Sequence, residues 1–397
     1  MIKKGEVKMN SNMNKLFKYE MPTKIIFGCG AVSQTGKEIE KLGIKKVMIV
    51  IDRGVMEIGL VDRLENSLKS SGIKYIIYDK VQPNSGTNFV TEATNVAKSE
   101  NCELIIGIGG GSSMDTAKAV AAMVTNTGNL IDYAGIDKLK KQPLPNIAIP
   151  TTAGTGSEVT RWAVISDREK NIKADIGSFK IMPKIAICDP ELTTSLPSRI
   201  TAETGMDALT HAIESYVCTA TQPISEALAE KSITLISKYL RRAVANGKNM
   251  EAREGMLMGS LTAALAFNET RLGIAHSWAS PLVPYFPISH GLVNSILLPN
   301  VMEYNLIGNL EKFARIALLM GENIEGLNLM DAARKAVKAV RALSTDIDLP
   351  QGLKEVIDIN EEDIQKLANE ALQSGNNLVN PRTPTLEDMI KICRNSM

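Results

Sequence analysis

Two textures of hydrophobic patterning divide the chain. From Ile25 to about Leu196, short and nearly unbroken apolar runs alternate with amphipathic stretches. Residues 46–51, 74–78, 103–108 and 146–150 read as strands. A run with no polar alternation has no solvent face, as in a parallel sheet covered by helices on both sides. Between these runs, residues 61–70 and 90–99 place their apolar positions on one helical face. After Pro197 the texture changes. Residues 201–218, 225–245, 252–267, 310–319 and 331–345 carry the helical period, and strand-like runs nearly vanish. The pattern predicts an α/β N-terminal domain with a parallel sheet over residues 1–197. An all-α C-terminal domain over residues 198–397 follows.

The totals agree and narrow the function. A chain of 397 residues exceeds one ordinary core, so two domains are expected. A net charge of +1 leaves no basic excess to draw nucleic acid or an anionic membrane. With aromatics at 4%, stacking on bases is not expected to be the main business. The cysteines, at positions 29, 102, 188, 218 and 393, are odd in number and contain no CxxC pair. That fits a reducing, cytoplasmic setting. The first dozen residues are polar and lack the apolar core of a signal peptide. No run of about 18 apolar residues suggests a membrane span.

Chemistry enters at the strand ends. Gly107-Ile108-Gly109-Gly110-Gly111-Ser112-Ser113-Met114-Asp115-Thr116-Ala117-Lys118 follows one strand and opens a helix. Glycines allow a tight turn and close approach to a ligand. The free N–H groups of a helix start suit a pyrophosphate. A plain glycine turn is the alternative. The segment matches neither the Walker pattern nor the usual GxGxxG after a first strand. Asp52 ends the strand over 46–51, where a carboxylate can hold ribose hydroxyls and repel a 2′-phosphate; a helix-capping aspartate is the equal alternative. Thr151-Thr152-Ala153-Gly154-Thr155-Gly156-Ser157-Glu158 follows the strand at 146–150. Open α/β sheets bind ligands at such carboxyl ends, although a polar turn is also common there.

The protein's three histidines all lie between Asp207 and His290. Asp207 and His211 are four residues apart, hence on one face of a helix. His276 and His290 follow fourteen residues apart, and the segment between them carries Pro281, Pro284 and Pro287. Prolines break a helix interior, so this segment is expected to form a loop that brings both histidines to one point. Three imidazoles and a carboxylate suit Fe²⁺ or Zn²⁺ better than Ca²⁺ or Mg²⁺. Histidines satisfied within an apolar core are the plain alternative.

Taken together, these segments resemble the iron-containing (group III) alcohol dehydrogenase family. The resemblance covers nearly the whole chain. Its motifs are the opening segment at 22–31, the loop at 109–118, residues 150–158, Asp189-Pro190-Glu191-Leu192, Gly205 to His211, and His290-Gly291-Leu292-Val293-Asn294-Ser295-Ile296-Leu297-Leu298-Pro299. The resemblance implies a dinucleotide-binding N-terminal domain, a helical C-terminal domain, and a catalytic ion in a cleft between them. It implies Asp207, His211, His276 and His290 as ligands of Fe²⁺, with Zn²⁺ as the alternative. NAD(H) is the implied cofactor, with Asp52 as the NAD-selecting acid. Asn84, Gly109, Gly110, Gly111, Ser112, Asp115, Thr151, Thr152, Thr160, Lys173 and Leu192 are implied cofactor contacts. Trp162 and Phe267 line the implied substrate pocket, and a homodimer or larger homo-oligomer is expected.

The implied reaction is reversible hydride transfer between the nicotinamide and a small primary alcohol or aldehyde, with the ion acting as a Lewis acid. Two positions depart from the pattern. Ser280 stands where many members carry a further histidine that helps move the proton, and serine is a poor base near neutral pH. Arg271 stands where small residues are frequent. With Arg161 beside Trp162, it raises the alternative of a short anionic aldehyde such as sulfoacetaldehyde or succinic semialdehyde. A dehydroquinate synthase-like metal enzyme is the other alternative within this architecture.

Overall fold

The structure, a computed structural model, describes residues 16–82, 86–167 and 172–397. The polar N-terminal dozen and Asn84 lie outside the described residues. The chain forms two compact units. One is Met21–Leu196; the other comprises Pro197–Met397 together with residues 16–20.

The first unit runs β1 (Lys24–Phe27), α1 (Thr35–Lys41), β2 (Lys46–Asp52), α2 (Arg53–Glu57), α3 (Asp62–Ser70), β3 (Lys74–Val81), α4 (Thr87–Ser99), β4 (Leu104–Gly109) and α5 (Gly111–Thr125). It continues with β5 (Gly135–Ile136), β6 (Asn146–Pro150), β7 (Trp162–Asp167), β8 (Ile172–Gly177) and β9 (Ile185–Cys188). Six strands form one parallel sheet in the order β1-β9-β6-β4-β2-β3. The apolar runs explain why it is covered on both faces. Met48 and Val50 of β2 pack with Ile105 of β4 and with Val90, Ala93, Val120 and Ala121 of α4 and α5. Their strand neighbours Val47, Ile49 and Ile51 pack on the opposite face with Ile106, Ile39, Leu64 and Leu68. Alternate residues of a strand point to opposite faces, so both faces must be apolar here.

The sheet order also locates a crevice. From β2 the chain goes to β3 on one side and then to β4 on the other. Loops that leave neighbouring strands in opposite directions part at their carboxyl ends, which is where open α/β sheets take ligands. Those ends are Asp52 and Gly109, with Ile51 paired to Ile108 just before them. A second, small sheet has the order β5-β8-β7, with β7 and β8 antiparallel.

The second unit holds α6 (Ser198–Val217), α7 (Pro223–Ala245), α8 (Met250–Thr270), α9 (Ile274–Tyr285), α10 (His290–Asn305), α11 (Leu310–Leu319), α12 (Leu329–Asp346), α13 (Glu361–Leu372) and α14 (Leu386–Asn395). Glycines let its helices approach closely. A Cβ on Gly205 would lie 2.3 Å from Leu240 Cδ1, and one on Gly255 would lie 2.1 Å from Tyr239 Cδ2. The Tyr19 hydroxyl donates to the Leu265 carbonyl at 3.1 Å, which ties residues 16–20 to this unit. Among the described residues, no helix is long and apolar enough to cross a membrane.

The expected loop between His276 and His290 is a correction. Helix α9 continues through Pro281 and Pro284 to Tyr285, leaving only residues 286–289 before α10. Each proline removes one helical N–H, a real cost. Burial of Ile274, Ala275, Trp278, Ala279 and Leu282 outweighs it. Helix α10 likewise accommodates Pro299.

Candidate metal centre and dinucleotide loop

Three helices of the second unit bring the ligand candidates together. Asp207 and His211 lie on α6, His276 in the first turn of α9, and His290 at the first position of α10. Ser289 caps α10, accepting from Leu292 N at 3.3 Å. Gly291 decides how near α10 can come. A Cβ there would lie 2.3 Å from the backbone carbonyl oxygen of Glu203, so α10 rests directly on the α6 backbone. The result is a cluster: one ligand atom each from Asp207, His276 and His290, all within 4.8 Å of one another. Asp207 Oδ1 is 3.7 Å from Nε2 of both His276 and His290. His211 stands beside this cluster, its ring stacked on His276 at 4.6 Å between centroids and tilted against Phe267 at 4.5 Å.

Two further residues belong to the centre and escaped the reading of the sequence. Glu214, also on α6, accepts from Gly273 N at 2.8 Å and Ala275 N at 2.7 Å, and its Oε2 lies 2.6 Å from His276 Nδ1. Asn294, one turn after His290, donates from Nδ2 to Asp207 Oδ1 at 2.8 Å. The same nitrogen lies 3.1 Å from Nε2 of both His276 and His290. A signal was available for each. Glu214 continues the stripe Asp207, His211 at the next helical step, and Asn294 follows His290 by four.

The electrostatics favour a cation. Burial works to raise the Asp207 carboxyl, but His211, His290, His276 and the Asn294 amide outweigh it and hold it below the usual carboxylate range. Burial pushes the Glu214 carboxyl up to about 7, against the lowering effect of the Gly273 and Ala275 N–H groups. Asp207 and His276 are buried, and His290 is partly exposed. Imidazole nitrogens and a carboxylate oxygen at this spacing fit a first-row divalent ion such as Fe²⁺ or Zn²⁺.

In the first unit, Gly109 adopts φ +143° and a Cβ there would meet Ser113 Oγ at 2.6 Å. The next glycines sit against the segment after β6. A Cβ on Gly110 would lie 3.5 Å from Thr152 Cγ2, and one on Gly111 would lie 2.9 Å from Thr155 Cγ2. Thr151 N donates to the Gly109 carbonyl at 2.9 Å, clamping the two loops together. Helix α5 starts here with no side-chain cap and no acidic residue in its first turn, as an anion site requires. Asp52 caps α2, accepting from Val55 N at 2.9 Å, while its second oxygen lies 3.4 Å from Ser113 Oγ.

Other expected cofactor contacts have internal partners. Asp115 accepts from Ser157 Oγ at 2.5 Å and Val164 N at 3.0 Å. Buried Lys118 donates to the carbonyls of Thr160 at 3.1 Å and Trp162 at 2.8 Å. These contacts hold the strand entering β7 against α5. Leu192 packs in the sheet core with Val32 and Ile187. Lys173 lies on β8, paired with Ser166.

Comparison with known proteins gives one answer over nearly the whole chain. Residues 22–190 match the family of iron-containing alcohol dehydrogenases, and residues 201–397 match the C-terminal region of the same family. The chain is 42% identical to a 1,3-propanediol dehydrogenase of Klebsiella pneumoniae, over 96% of this chain and 98% of that one. It is 40% identical to an NAD-dependent methanol dehydrogenase of Bacillus methanolicus, over 95% and 99%. The crystal structure of a 1,3-propanediol oxidoreductase superimposes with a TM-score of 0.94 at 42% identity, covering 96% of this chain and all of that one.

The chain belongs to the iron-containing alcohol dehydrogenase family.

Membership of this oxidoreductase family frames the remaining positions. Phe267 is buried against His211, an apolar wall beside the centre. Trp162 packs on Gly177, where a Cβ would lie 2.4 Å from Cζ3. The Arg161 guanidinium lies over the rings of Phe179 at 5.0 Å and Trp162 at 5.6 Å. Arg271 ends α8 at φ 66°, ψ −170°, a backbone region disfavoured for a residue with a side chain. Its Nη1 lies against Gly375, where a Cβ would be 2.2 Å away. Ser280 lies on α9 one turn after His276 and is half-buried.

Proposed function

We propose that this protein interconverts short primary alcohols and aldehydes with NAD(H), using Fe²⁺ held by Asp207, His211, His276 and His290. Zn²⁺ suits the same donors. The observation that carries this reading is the convergence of Asp207, His276 and His290 from three helices on one point. The helical unit is the metal-binding domain in this reading, and the α/β unit is the dinucleotide-binding domain. The bound ion supplies Lewis-acid chemistry at the substrate oxygen. The chain's own residues do the rest. The glycine loop and the start of α5 receive the pyrophosphate, and Asp52 takes the ribose hydroxyls. Phe267 keeps water from one side of the centre. Ser280 passes a proton by hydrogen bonding and is too weak a base to hold one.

A neutral substrate is the better-supported class. The relatives of 42% and 40% identity are named for 1,3-propanediol and methanol. Arg161 and Arg271 both pack against protein groups. The dehydrogenase names also weigh against a synthase reaction. Free cysteines throughout support a cytoplasmic setting, and family resemblance supports a homodimer or larger assembly.

The test is kcat/KM with NADH for butyraldehyde, sulfoacetaldehyde and succinic semialdehyde, on protein loaded anaerobically with Fe²⁺. Butyraldehyde is expected to be preferred. A preference of about tenfold or more for either anion, about 1.4 kcal/mol, would replace the neutral reading. His290→Ala should stay folded while losing both bound iron and turnover. Full activity with no bound ion would remove the metal reading.

A further inference from the structure

A neutral imidazole carries its proton on one nitrogen, and only the other can offer a lone pair to an ion. For His276 the surroundings decide which. Its Nδ1 lies 2.6 Å from Glu214 Oε2, an acceptor, so the proton belongs on Nδ1. On the other side of the ring, Nε2 lies 3.1 Å from the Asn294 amide nitrogen, whose two hydrogens are shared among Asp207 Oδ1, His290 Nε2 and this nitrogen. The Glu214 contact sets the tautomer, and the Asn294 amide is compatible with it. It directs Nε2 towards Asp207 Oδ1 and His290.

Glu214 is itself held rigidly. Its Oε1 accepts from Ala275 N at 2.7 Å, and Oε2 accepts from Gly273 N at 2.8 Å as well as from the imidazole. Those two N–H groups open α9, whose N-cap Gly273 offers no side chain of its own. A carboxylate from α6 therefore caps α9 across a separation of about sixty residues, where a helix start favours negative charge. Gly273 is required by this packing, because a Cβ there would lie 2.8 Å from Glu214 Oε1. One carboxylate thus sets both where α9 begins and how the His276 ring on its first turn is oriented.

We propose that Glu214 is a positioning residue for the metal centre: it fixes His276 as the Nδ1–H tautomer, aims Nε2 at the ligand cluster, and so sets the affinity for a divalent ion. The affinity part rests on the metal reading above. Carboxylates bonded to the far nitrogen of a ligating histidine typically contribute about 10–100-fold in metal affinity.

The test uses the full chain with ¹⁵N-labelled histidine, Zn²⁺-loaded and chelated, and isothermal titration with Zn²⁺. Only three histidines contribute signals, and His276→Ala assigns the one in question. Wild type is expected to show His276 protonated on Nδ1 in both forms. Glu214→Gln keeps the shape, but one side of its amide must now oppose a donor. It should mix the His276 tautomers in the chelated protein and weaken Zn²⁺ binding by about 10–100-fold. An Nε2–H tautomer in wild type overturns the proposal without recourse to any variant. So does a Glu214→Gln protein that keeps the wild-type tautomer and affinity while losing only thermal stability, since that is a purely structural cap. A wild type that binds neither Zn²⁺ nor Fe²⁺ overturns the metal reading and the affinity part with it. The Nδ1–H signal in that same sample would still uphold the Glu214–His276 contact.

Discussion

Asp52 shows how one side chain can satisfy two readings. The capping alternative holds for Oδ1, which accepts from Val55 N. Oδ2 points instead to the glycine loop, 3.4 Å from Ser113 Oγ and 3.1 Å from where a Gly109 Cβ would stand. The cap and the proposed part in cofactor selection can be separated. Asn at this position still caps α2 but carries no charge to repel a 2′-phosphate. Asp52→Asn should therefore narrow the ratio of kcat/KM between NADH and NADPH while leaving thermal stability nearly unchanged. Asp52→Gly should narrow it too, at a cost of a few tenths of a kcal/mol in helix capping. A wild type that uses NADPH as readily as NADH, or an unchanged ratio in Asp52→Asn, would take Asp52 out of cofactor selection. Other residues were legible in part. The Asp207–His211 pair followed from helical spacing, and Glu214 continues that stripe, but a glutamate in a helix is too ordinary to single out by spacing alone.

Among the elements, α10 and its contact with α6 govern the centre. Gly291 has an ordinary backbone conformation, so its small size serves proximity rather than turning. Its hydrogen faces the Glu203 carbonyl, and a Cβ would also come within 3.3 Å of Asp207 Cβ. Gly291→Ala must push the start of α10 away from α6 and carry His290 with it. Overpacking of this kind costs about 1–3 kcal/mol. The expected result is a lower Tm together with weaker Zn²⁺ binding, read by scanning calorimetry and titration. Wild-type affinity in a destabilised Gly291→Ala protein would show that α10 shifts without disturbing His290. The course of α9 was hidden for a related reason. Pro281 and Pro284 argue for a break when local propensity is all that is known, and only the buried face of Trp278 and Leu282 reverses that argument.

At the scale of the molecule, all four ligand candidates belong to the helical unit. A ligand that binds only the folded form stabilises it by RT ln(1 + [L]/Kd), about 4 kcal/mol at a thousandfold excess over Kd. Removal of the ion should be felt where the ligands are. Chelation is expected to raise amide hydrogen exchange in α6, α9 and α10 while β2, β4 and β6 keep their protection. Exchange that rises equally in both units, or in neither, would contradict a centre built within the helical unit alone. Residues 16–20 join that same unit through Tyr19, a pairing across the sequence that no local pattern announces.

What the sequence determined by itself is whatever depends on short-range periodicity. Unbroken apolar runs predicted β2, β3, β4 and β6 because a strand covered on both faces has no position left for a polar residue. Helical spacing predicted α6 through α8, α11 and α12, and put Asp207 beside His211. Glycines after a strand located the turn from β4 into α5, the candidate dinucleotide loop. Tertiary structure alone decided what depends on contacts between distant segments. It made β9 a central partner of β1 and β6, although its four residues carry little signal of their own. It ran α9 through two prolines, since burial there exceeds the cost of the missing N–H groups. It joined Glu214 and Asn294 to the histidines: helical spacing put each on the same face as a ligand candidate, but only the packing of α6, α9 and α10 decided that they touch.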